Sequence, residues 1–130
     1  MDANTLAEVA VSALQDIKAR DITVIDVSEL TSLFERIIIA SADSTRQTRA
    51  LANNVQEKLH ARGATILGVE GAETGEWVLV DAGDVIVHVM QPAVRQYYNL
   101  EELWGGRPPA PGRRGLEYAS IHRPIEHRAQ

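Results

Sequence analysis

The stretch at residues 76–90, EWVLVDAGDVIVHVM, contains two β-branched runs that are separated by a turn signal. The runs at 77–80 and 85–90 are short and apolar, as β-strands commonly are. Between them lies DAGD, in which Asp can bond to its own backbone and Gly83 tolerates a positive φ. The stretch therefore predicts an antiparallel β-hairpin.

Alternation along the second strand of this hairpin assigns its side chains to two faces. His88 shares one face with Ile86 and Met90, and the three valines of the strand take the other face. A histidine here could act as a general base or a metal ligand. No second histidine stands at ligand spacing, so we favour a half-exposed structural or interface residue.

Hydrophobic periodicity on both sides of the hairpin predicts the remaining elements. Two helices are expected at residues 5–20 and 44–62, opened by the capping boxes Thr5-x-x-Glu8 and Ser44-x-x-Gln47. Three further strands are expected at 22–27, 37–40 and 65–69. A short helix is expected to begin at Pro92. This order implies an α/β (α+β) fold, with a mixed β-sheet of about five strands flanked by helices.

Charge divides the chain into two parts. Residues 1–105 carry 8 Lys and Arg against 16 Asp and Glu, whereas residues 106–130 carry 5 Arg and 2 Glu. We therefore expect a folded acidic domain at 1–105 and a flexible basic tail, rich in Pro, Gly and Arg, at 106–130. An acidic domain disfavours sequence-independent binding to nucleic acid and suits a basic protein partner, although the tail itself could touch RNA.

Composition and the N-terminus exclude several classes of protein. The chain contains no cysteine, which rules out disulfides, thiolate metal sites and a cysteine nucleophile. The first residues, MDANT, form neither a signal peptide nor a transit peptide, and every apolar run is too short to span a bilayer. We therefore expect a cytoplasmic protein with no membrane association.

Catalysis finds little support in the sequence. The chain lacks GxSxG, the P-loop signature and GxGxxG. Asp81 and Asp84 could bind a divalent cation or act as an acid–base pair, but turn chemistry accounts for both more simply. An anion at Ser41 and Ser44 is likewise less favoured than a plain helix cap. We predict no catalytic residue, no metal and no cofactor.

A binding surface is better supported, because residues 63–94 contain no Lys or Arg. The same segment holds five carboxylates and Trp77, which stands at the start of a predicted strand. A partly exposed Trp rimmed by carboxylates is typical of a protein-interaction hot spot. The alternative is that Trp77 packs inward and that the acids only keep the protein soluble. Composition does not separate these two interpretations.

A series of short runs identifies a family resemblance over about residues 5–105. The runs are DV at 26–27, IIIA at 37–40, STRQ at 44–47, GVEG at 68–71, EWVLVD at 76–81, GDVIVHVM at 83–90 and RxYYxLExLW at 95–104. Together they resemble the pattern of the Iojap family of ribosomal silencing factors. The chain departs from that pattern at Glu35-Arg36, where the family usually has Asp-Tyr. Any role of that Asp either is lost here or passes to Glu35.

The resemblance implies a non-enzymatic ribosome-binding factor with a nucleotidyltransferase-like topology. Similar proteins bind the large ribosomal subunit at ribosomal protein uL-fourteen, block subunit joining during starvation and are linked to large-subunit maturation. The partner-binding residues we expect are Trp77, Leu79, Asp81, Asp84, His88, Tyr98, Leu100, Leu103 and Trp104. Some of these, Trp104 above all, are also candidates for the core. The rival hypotheses are a nucleotidyltransferase-like enzyme and a homodimeric assembly factor with a partner other than the ribosome.

Overall fold

The centre of the fold is a parallel pair of strands, β2 (Arg36–Ser41) and β5 (Val85–Met90), in the computed structural model, which describes residues 1–104. Both strands are apolar and almost wholly buried, because the sheet is covered on both faces. β1 (Arg20–Asp26) pairs antiparallel with β2 at one side. On the other side β4 (Trp77–Asp81) pairs antiparallel with β5, and the short β3 (Gly68–Glu70) forms the outer edge.

The predicted mixed sheet of five strands is confirmed, with the order β1-β2-β5-β4-β3. The predicted hairpin is confirmed as β4 and β5, in which Val80 pairs with Val87. The helices are α1 (Ala3–Asp16), α2 (Thr45–Ala61), α3 (Pro92–Tyr98) and α4 (Leu100–Trp104). No helix among residues 1–104 is both long and apolar enough to cross a membrane. The predicted tail, 106–130, lies outside the described residues.

The first helix differs from the prediction at both ends. Asp2 is its N-cap, and the Asp2 Oδ1 accepts a hydrogen bond of 2.8 Å from the backbone N–H of Thr5. The expected capping box at Thr5 and Glu8 is therefore wrong, because the preceding Asp satisfies the free N–H groups of the first turn. The helix ends at Asp16 rather than at residue 20, and Lys18, with φ of 61°, turns the chain into β1.

The second helix begins at the predicted cap. The Ser44 Oγ accepts from the Gln47 N–H at 3.1 Å, while the Gln47 Oε1 accepts from the N–H of Asp43 at 2.8 Å. The reciprocal bond of the capping box thus reaches one residue further back than expected. β3 also differs, since it starts at Gly68 rather than at residue 65. Pairing with β4 begins at Leu67, whose N–H donates to the Asp81 carbonyl at 2.8 Å.

The sheet separates two apolar clusters of different composition. On the first face, α1 and α2 cover an aliphatic cluster that includes Val85, Val87 and Val89. On the second face, the connection at 27–35 together with α4 covers Ile86, Met90 and their neighbours. The two-faced alternation predicted for β5 is therefore confirmed. The second-face cluster consists of Val27, Phe34, Ile37, Ile39, Leu79, Ile86, Met90, Leu100, Leu103 and Trp104.

Candidate protein-binding site on the second face

Trp77 and His88 are joined across the β4–β5 hairpin. Trp77 pairs with Met90 in the register and Leu79 pairs with His88, so the two side chains are diagonal neighbours on the second face. The Trp77 Nε1–H donates to the His88 Nδ1 at 2.9 Å, and the ring centroids are 5.7 Å apart. His88 is fully buried, so the expectation of a half-exposed histidine was wrong. The cover supplied by residues 27–35 and α4, which alternation within one strand does not reveal, accounts for the difference.

Two tyrosines extend this contact to the surface. The Tyr98 ring lies 4.8 Å from the Trp77 ring, with an interplanar angle of 47°. Tyr97 meets Tyr98 edge-on at 5.0 Å. Tyr98 is 43% exposed and Tyr97 is 81% exposed. We call Trp77, Tyr97 and Tyr98 the aromatic cluster; it leads from the buried His88 to solvent, and Tyr97 was not among the residues predicted from sequence.

The loop at 71–76 holds the start of β4 firmly. Gly71 has a φ of 89°, and a Cβ at this position would overlap the carbonyl oxygen of Trp77. The Arg49 guanidinium, from α2, donates to the carbonyls of Ala72 at 2.7 Å and Glu73 at 2.6 Å. The backbone from which Trp77 projects is thus fixed by a glycine and by an arginine from the other side of the sheet.

A buried arginine fastens α3, the helix that carries both tyrosines. The Arg95 guanidinium donates to the Ser41 Oγ at 2.8 Å and to the Thr23 Oγ1 at 3.1 Å. It also forms an ion pair with Glu101 at 2.9 Å, which links α3 to α4. Sequence reasoning left Arg95 without a role. The sequence signal for this role was a pair of hydroxyl side chains: alternation places Thr23 and Ser41 on the second face. A buried guanidinium needs such hydrogen-bond partners.

The two hairpin carboxylates occupy the opposite end of β4 from Trp77. The Asp81 Oδ1 accepts from the Gly83 N–H at 2.9 Å, and Gly83 has a φ of 85°. This is the geometry of a turn residue, as the simpler interpretation held. Asp81 is half-buried and Asp84 is exposed. No group of three His, Asp or Glu residues within residues 1–104 is arranged to hold a metal ion.

The remaining predicted site residues lie beneath the surface. Leu79, His88, Leu100, Leu103 and Trp104 are all buried in the second-face region. The Trp104 ring packs edge-on against Phe34 at 5.7 Å, which ties the end of α4 to the connection at 27–35. Of the predicted residues, therefore, Trp77, Asp81, Asp84 and Tyr98 reach solvent. The others form the layer on which these are supported.

Arg36, part of the departure from the family pattern, has a structural role. Its guanidinium lies 3.3 Å from the Asp26 carboxylate and donates to the Asn4 Oδ1 at 2.7 Å, so it joins β1, β2 and α1. Hydrogen bonds from Ser28 and the charge of Arg36 hold the pKa of Asp26 below its usual value. The neighbouring Glu35 is exposed. This corner of the molecule is distinct from the aromatic cluster.

The chain is similar to known proteins over most of its length. Residues 1–129 match the family described as "Ribosomal silencing factor during starvation". A ribosomal silencing factor of Chromobacterium violaceum is 58% identical over 110 residues, which cover 85% of this chain and 90% of that protein. A crystal structure of a protein from the same organism is 58% identical and superposes with a TM-score of 0.80, covering 85% of this chain and 92% of the other.

A more distant relative comes from an organelle. The mouse protein named "Mitochondrial assembly of ribosomal large subunit protein 1" is 33% identical over 100 residues, which cover 75% of this chain and 44% of that protein. The family match spans the domain that carries the aromatic cluster, and the solved structure reproduces its fold. The chain belongs to the ribosomal silencing factor family.

Proposed function

We propose that this protein binds the large ribosomal subunit at ribosomal protein uL-fourteen, through the aromatic cluster and the carboxylates of residues 70–84. The family is named for silencing during starvation, and the mouse relative is named for assembly of the large subunit. Both names concern ribosomes, and the second specifies the large subunit. The site is proposed to bind a basic protein surface in the cytoplasm.

The proposal rests on exposed aromatic rings beside a segment, residues 63–94, whose own side chains include five carboxylates and no cation. Tyr97 and Tyr98 are exposed, and Trp77, which lies within the segment 63–94, is half-buried. Glu70, half-buried on β3, faces Leu79 across the strands. Aromatic anchors supply most of the binding energy at protein interfaces, and complementary charge accelerates encounter.

The silencing mechanism we propose is steric. Joining of the subunits needs direct contact between them, and a bound domain on that contact surface excludes the small subunit without any chemical reaction. The same occupancy on an immature particle accounts for a contribution to large-subunit maturation. The basic tail at 106–130 would add a minor contact with ribosomal RNA, because cations bind phosphate in a salt-dependent manner.

Sedimentation through a sucrose gradient tests the partner. We expect the protein to travel with purified large subunits and to stay behind when mixed with small subunits. Equal binding to both subunits, or binding to neither, would contradict the proposal. A subunit-joining assay with increasing amounts of the protein then tests the mechanism, because steric exclusion requires inhibition to follow occupancy.

A substitution at the surface tests the site. Trp77→Ala should weaken binding by roughly 2 kcal/mol if Trp77 is an interface anchor. Val24→Ala is a matched control, because Val24 is 47% exposed on β1, at the opposite edge of the sheet. Thermal melting of both variants is measured alongside. A loss of stability for Trp77→Ala without loss of affinity in the folded fraction would make Trp77 a core residue only.

The charges at the hairpin are tested separately. Exchanging Asp81 and Asp84 together for Asn keeps the turn chemistry and removes both charges. We expect slower association and a smaller dependence on salt, and the Lys pair should exaggerate both effects. If the Asn pair binds as the unmodified protein does, with the same salt dependence, the two acids serve the turn alone.

A further inference from the structure

We infer that His88 is a positioning residue for partner binding: its Nδ1 fixes the Trp77 indole in the orientation in which the aromatic cluster meets the partner. This inference rests on the proposed function and adds to it a residue that never touches the partner. His88 is fully buried, and the indole N–H donates to its Nδ1 at 2.9 Å. The half-buried Trp77 therefore depends on a group from the interior of the sheet.

The chemistry of position 88 supports a role beyond filling space. The neighbours of His88 on its own face of β5 are Ile86 and Met90, and Leu79 lies across from it on β4. An aliphatic side chain would pack against these three neighbours without burying polar atoms, and burying polar atoms costs free energy unless they are hydrogen-bonded. What the imidazole adds here is an acceptor for the indole N–H. Because Nδ1 accepts, the neutral ring carries its proton on Nε2.

Loss of this acceptor would change where the indole points. A buried N–H left without an acceptor is costly, so the Trp77 ring would rotate to bring Nε1 to water. Rotation would move the ring away from Tyr98, whose centroid is 4.8 Å away, and Tyr97 rests on Tyr98 in turn. The cluster would then have to be ordered again on binding, and ordering side chains at an interface lowers affinity.

The test compares two substitutions of the same residue. His88→Asn places an amide oxygen at the position corresponding to Nδ1, whereas His88→Leu offers no acceptor. Binding to purified large subunits and to isolated uL-fourteen is measured for both variants, together with the NMR signal of the Trp77 indole N–H. That signal is assigned by its absence in Trp77→Phe. Val87→Ala is the control for general loss of packing, because Val87 is fully buried in the same strand but on the first face.

We expect His88→Leu to weaken binding about tenfold, because the freed rings of the aromatic cluster must be ordered again on binding. His88→Asn should recover most of this loss, and its indole signal should stay near that of the unmodified protein. Val87→Ala should lower the melting temperature and leave the affinity of the folded fraction unchanged. Leu and Asn variants that bind equally, whether tightly or weakly, would overturn the inference.

Two other outcomes, a variant that does not fold and an unmodified protein that does not bind, are distinguished as follows. If His88→Leu does not fold, Trp77→Phe removes the hydrogen-bond donor instead. Trp77→Phe should then weaken binding, while binding by His88→Asn remains close to normal. Unchanged binding by Trp77→Phe overturns the inference. If the unmodified protein binds neither the subunit nor uL-fourteen, the proposed function fails and the binding role of His88 fails with it. A failure of the inference alone is recognised by normal binding of the unmodified protein and of His88→Leu.

Discussion

The two faces of the sheet are covered by different means. On the first face, α1 and α2 span 14 and 17 residues, and the cluster beneath them is built from aliphatic side chains. On the second face, the five-residue α4 and the irregular connection at 27–35 provide the cover, and aromatic rings, His88 and Arg95 lie among or beside the aliphatic residues. The first face is therefore stabilised by aliphatic packing, whereas the second face combines apolar packing with specific hydrogen bonds.

We infer from this difference that the first face serves mainly stability and that the second face serves the proposed recognition. Long amphipathic helices bury aliphatic area without a particular polar geometry, so the first face can supply most of the folding free energy. The second face is covered by α4 and the connection at 27–35. The Arg95–Glu101 ion pair and the contact between Phe34 and Trp104 are the chief interactions that hold this cover in place. The exposed rings of the aromatic cluster emerge at its rim.

The largest expected effect comes from truncating one leucine on each face. Leu51 and Leu100 are both fully buried, in the first-face and second-face clusters respectively. Leu51→Ala should reduce the free energy of unfolding by about 4 kcal/mol, because the long helices leave a cavity that cannot collapse. Leu100→Ala should cost about 2 kcal/mol, because a short helix can settle into the space.

Chemical denaturation measures the free energy of unfolding of both leucine variants, and sedimentation with large subunits measures their binding. The affinity of the folded fraction should fall for Leu100→Ala and stay unchanged for Leu51→Ala. The reverse pattern of affinities would remove the proposed division between the faces.

The next largest effect is expected from alanine substitution of two glycines that have almost the same φ. Gly71 and Gly63 have φ of 89° and 88°, but a Cβ at Gly63 has open space, whereas at Gly71 it overlaps the backbone of Trp77. Gly63→Ala should cost about 1 kcal/mol from backbone strain alone. Gly71→Ala should cost about 3 kcal/mol in unfolding free energy and also reduce binding, because β4 must shift.

Subtracting the effect of Gly63→Ala from that of Gly71→Ala isolates the steric overlap, since both carry the same backbone strain. Equal melting temperatures for the two variants would show that the loop at 71–76 is not held as tightly as its contacts indicate.

Arg95→Met tests the fastening of the second-face cover. Methionine keeps much of the aliphatic stem and removes the bonds to Ser41, Thr23 and Glu101. We expect a loss of about 2 kcal/mol in unfolding free energy, because the hydroxyls of Ser41 and Thr23 each lose a charged donor.

Hydrogen exchange should show faster opening in α3 and α4 of Arg95→Met than in α1 and α2. Glu101→Gln is the milder control, since it leaves the guanidinium bonded to both hydroxyls. Uniform acceleration across all four helices would argue that the second face is not a separate unit.

The smallest expected effect is in acid, where two carboxylates have a lowered pKa, one at the cap of α1 and one at the start of the connection at 27–35. The Thr5 backbone hydrogen bond lowers the pKa of Asp2, the cap of α1, and the Ser28 hydrogen bond lowers the pKa of Asp26, at the start of the connection at 27–35. A lowered pKa in the folded state contributes stability above the usual value of 3.8 and loses it as pH falls through the lowered value.

Asp2→Asn and Asp26→Asn should therefore each flatten the decline in melting temperature below about pH 4, since Asn keeps an acceptor but does not titrate. Melting curves between neutral pH and acid measure the slopes. An unchanged slope for either variant would mean that its carboxylate hydrogen bonds contribute nothing to acid stability.

Much of the fold could be predicted from sequence because local signals agreed with the tertiary structure. The turn at 81–84, the β-branched runs beside it and the Ser44 cap each needed only neighbouring residues for their interpretation. The first helix was misplaced because two capping signals, Asp2 and Thr5, compete within one turn, and the better acceptor lies earlier.

The candidate site was harder to predict because its contacts cross the fold. The hydrogen bond between Trp77 and His88 depends on the register of two strands, which spacing alone does not give. The burial of His88 depends on a cover formed by residues 27–35 and α4. Arg95 has no local partner except Glu101, since Ser41 and Thr23 are distant in sequence.

The parallel pairing of β2 with β5 has a consequence for the order of folding. Arg36 pairs with Val85, so the two central strands must close a long loop before they gain any contact, whereas the β4–β5 hairpin closes through a short turn. Local pairings form before distant ones. A chain still emerging from the ribosome therefore holds α1, β1, β2 and α2 without the strand that completes their core, and we expect cooperative folding to wait until β5, as far as Met90, has emerged.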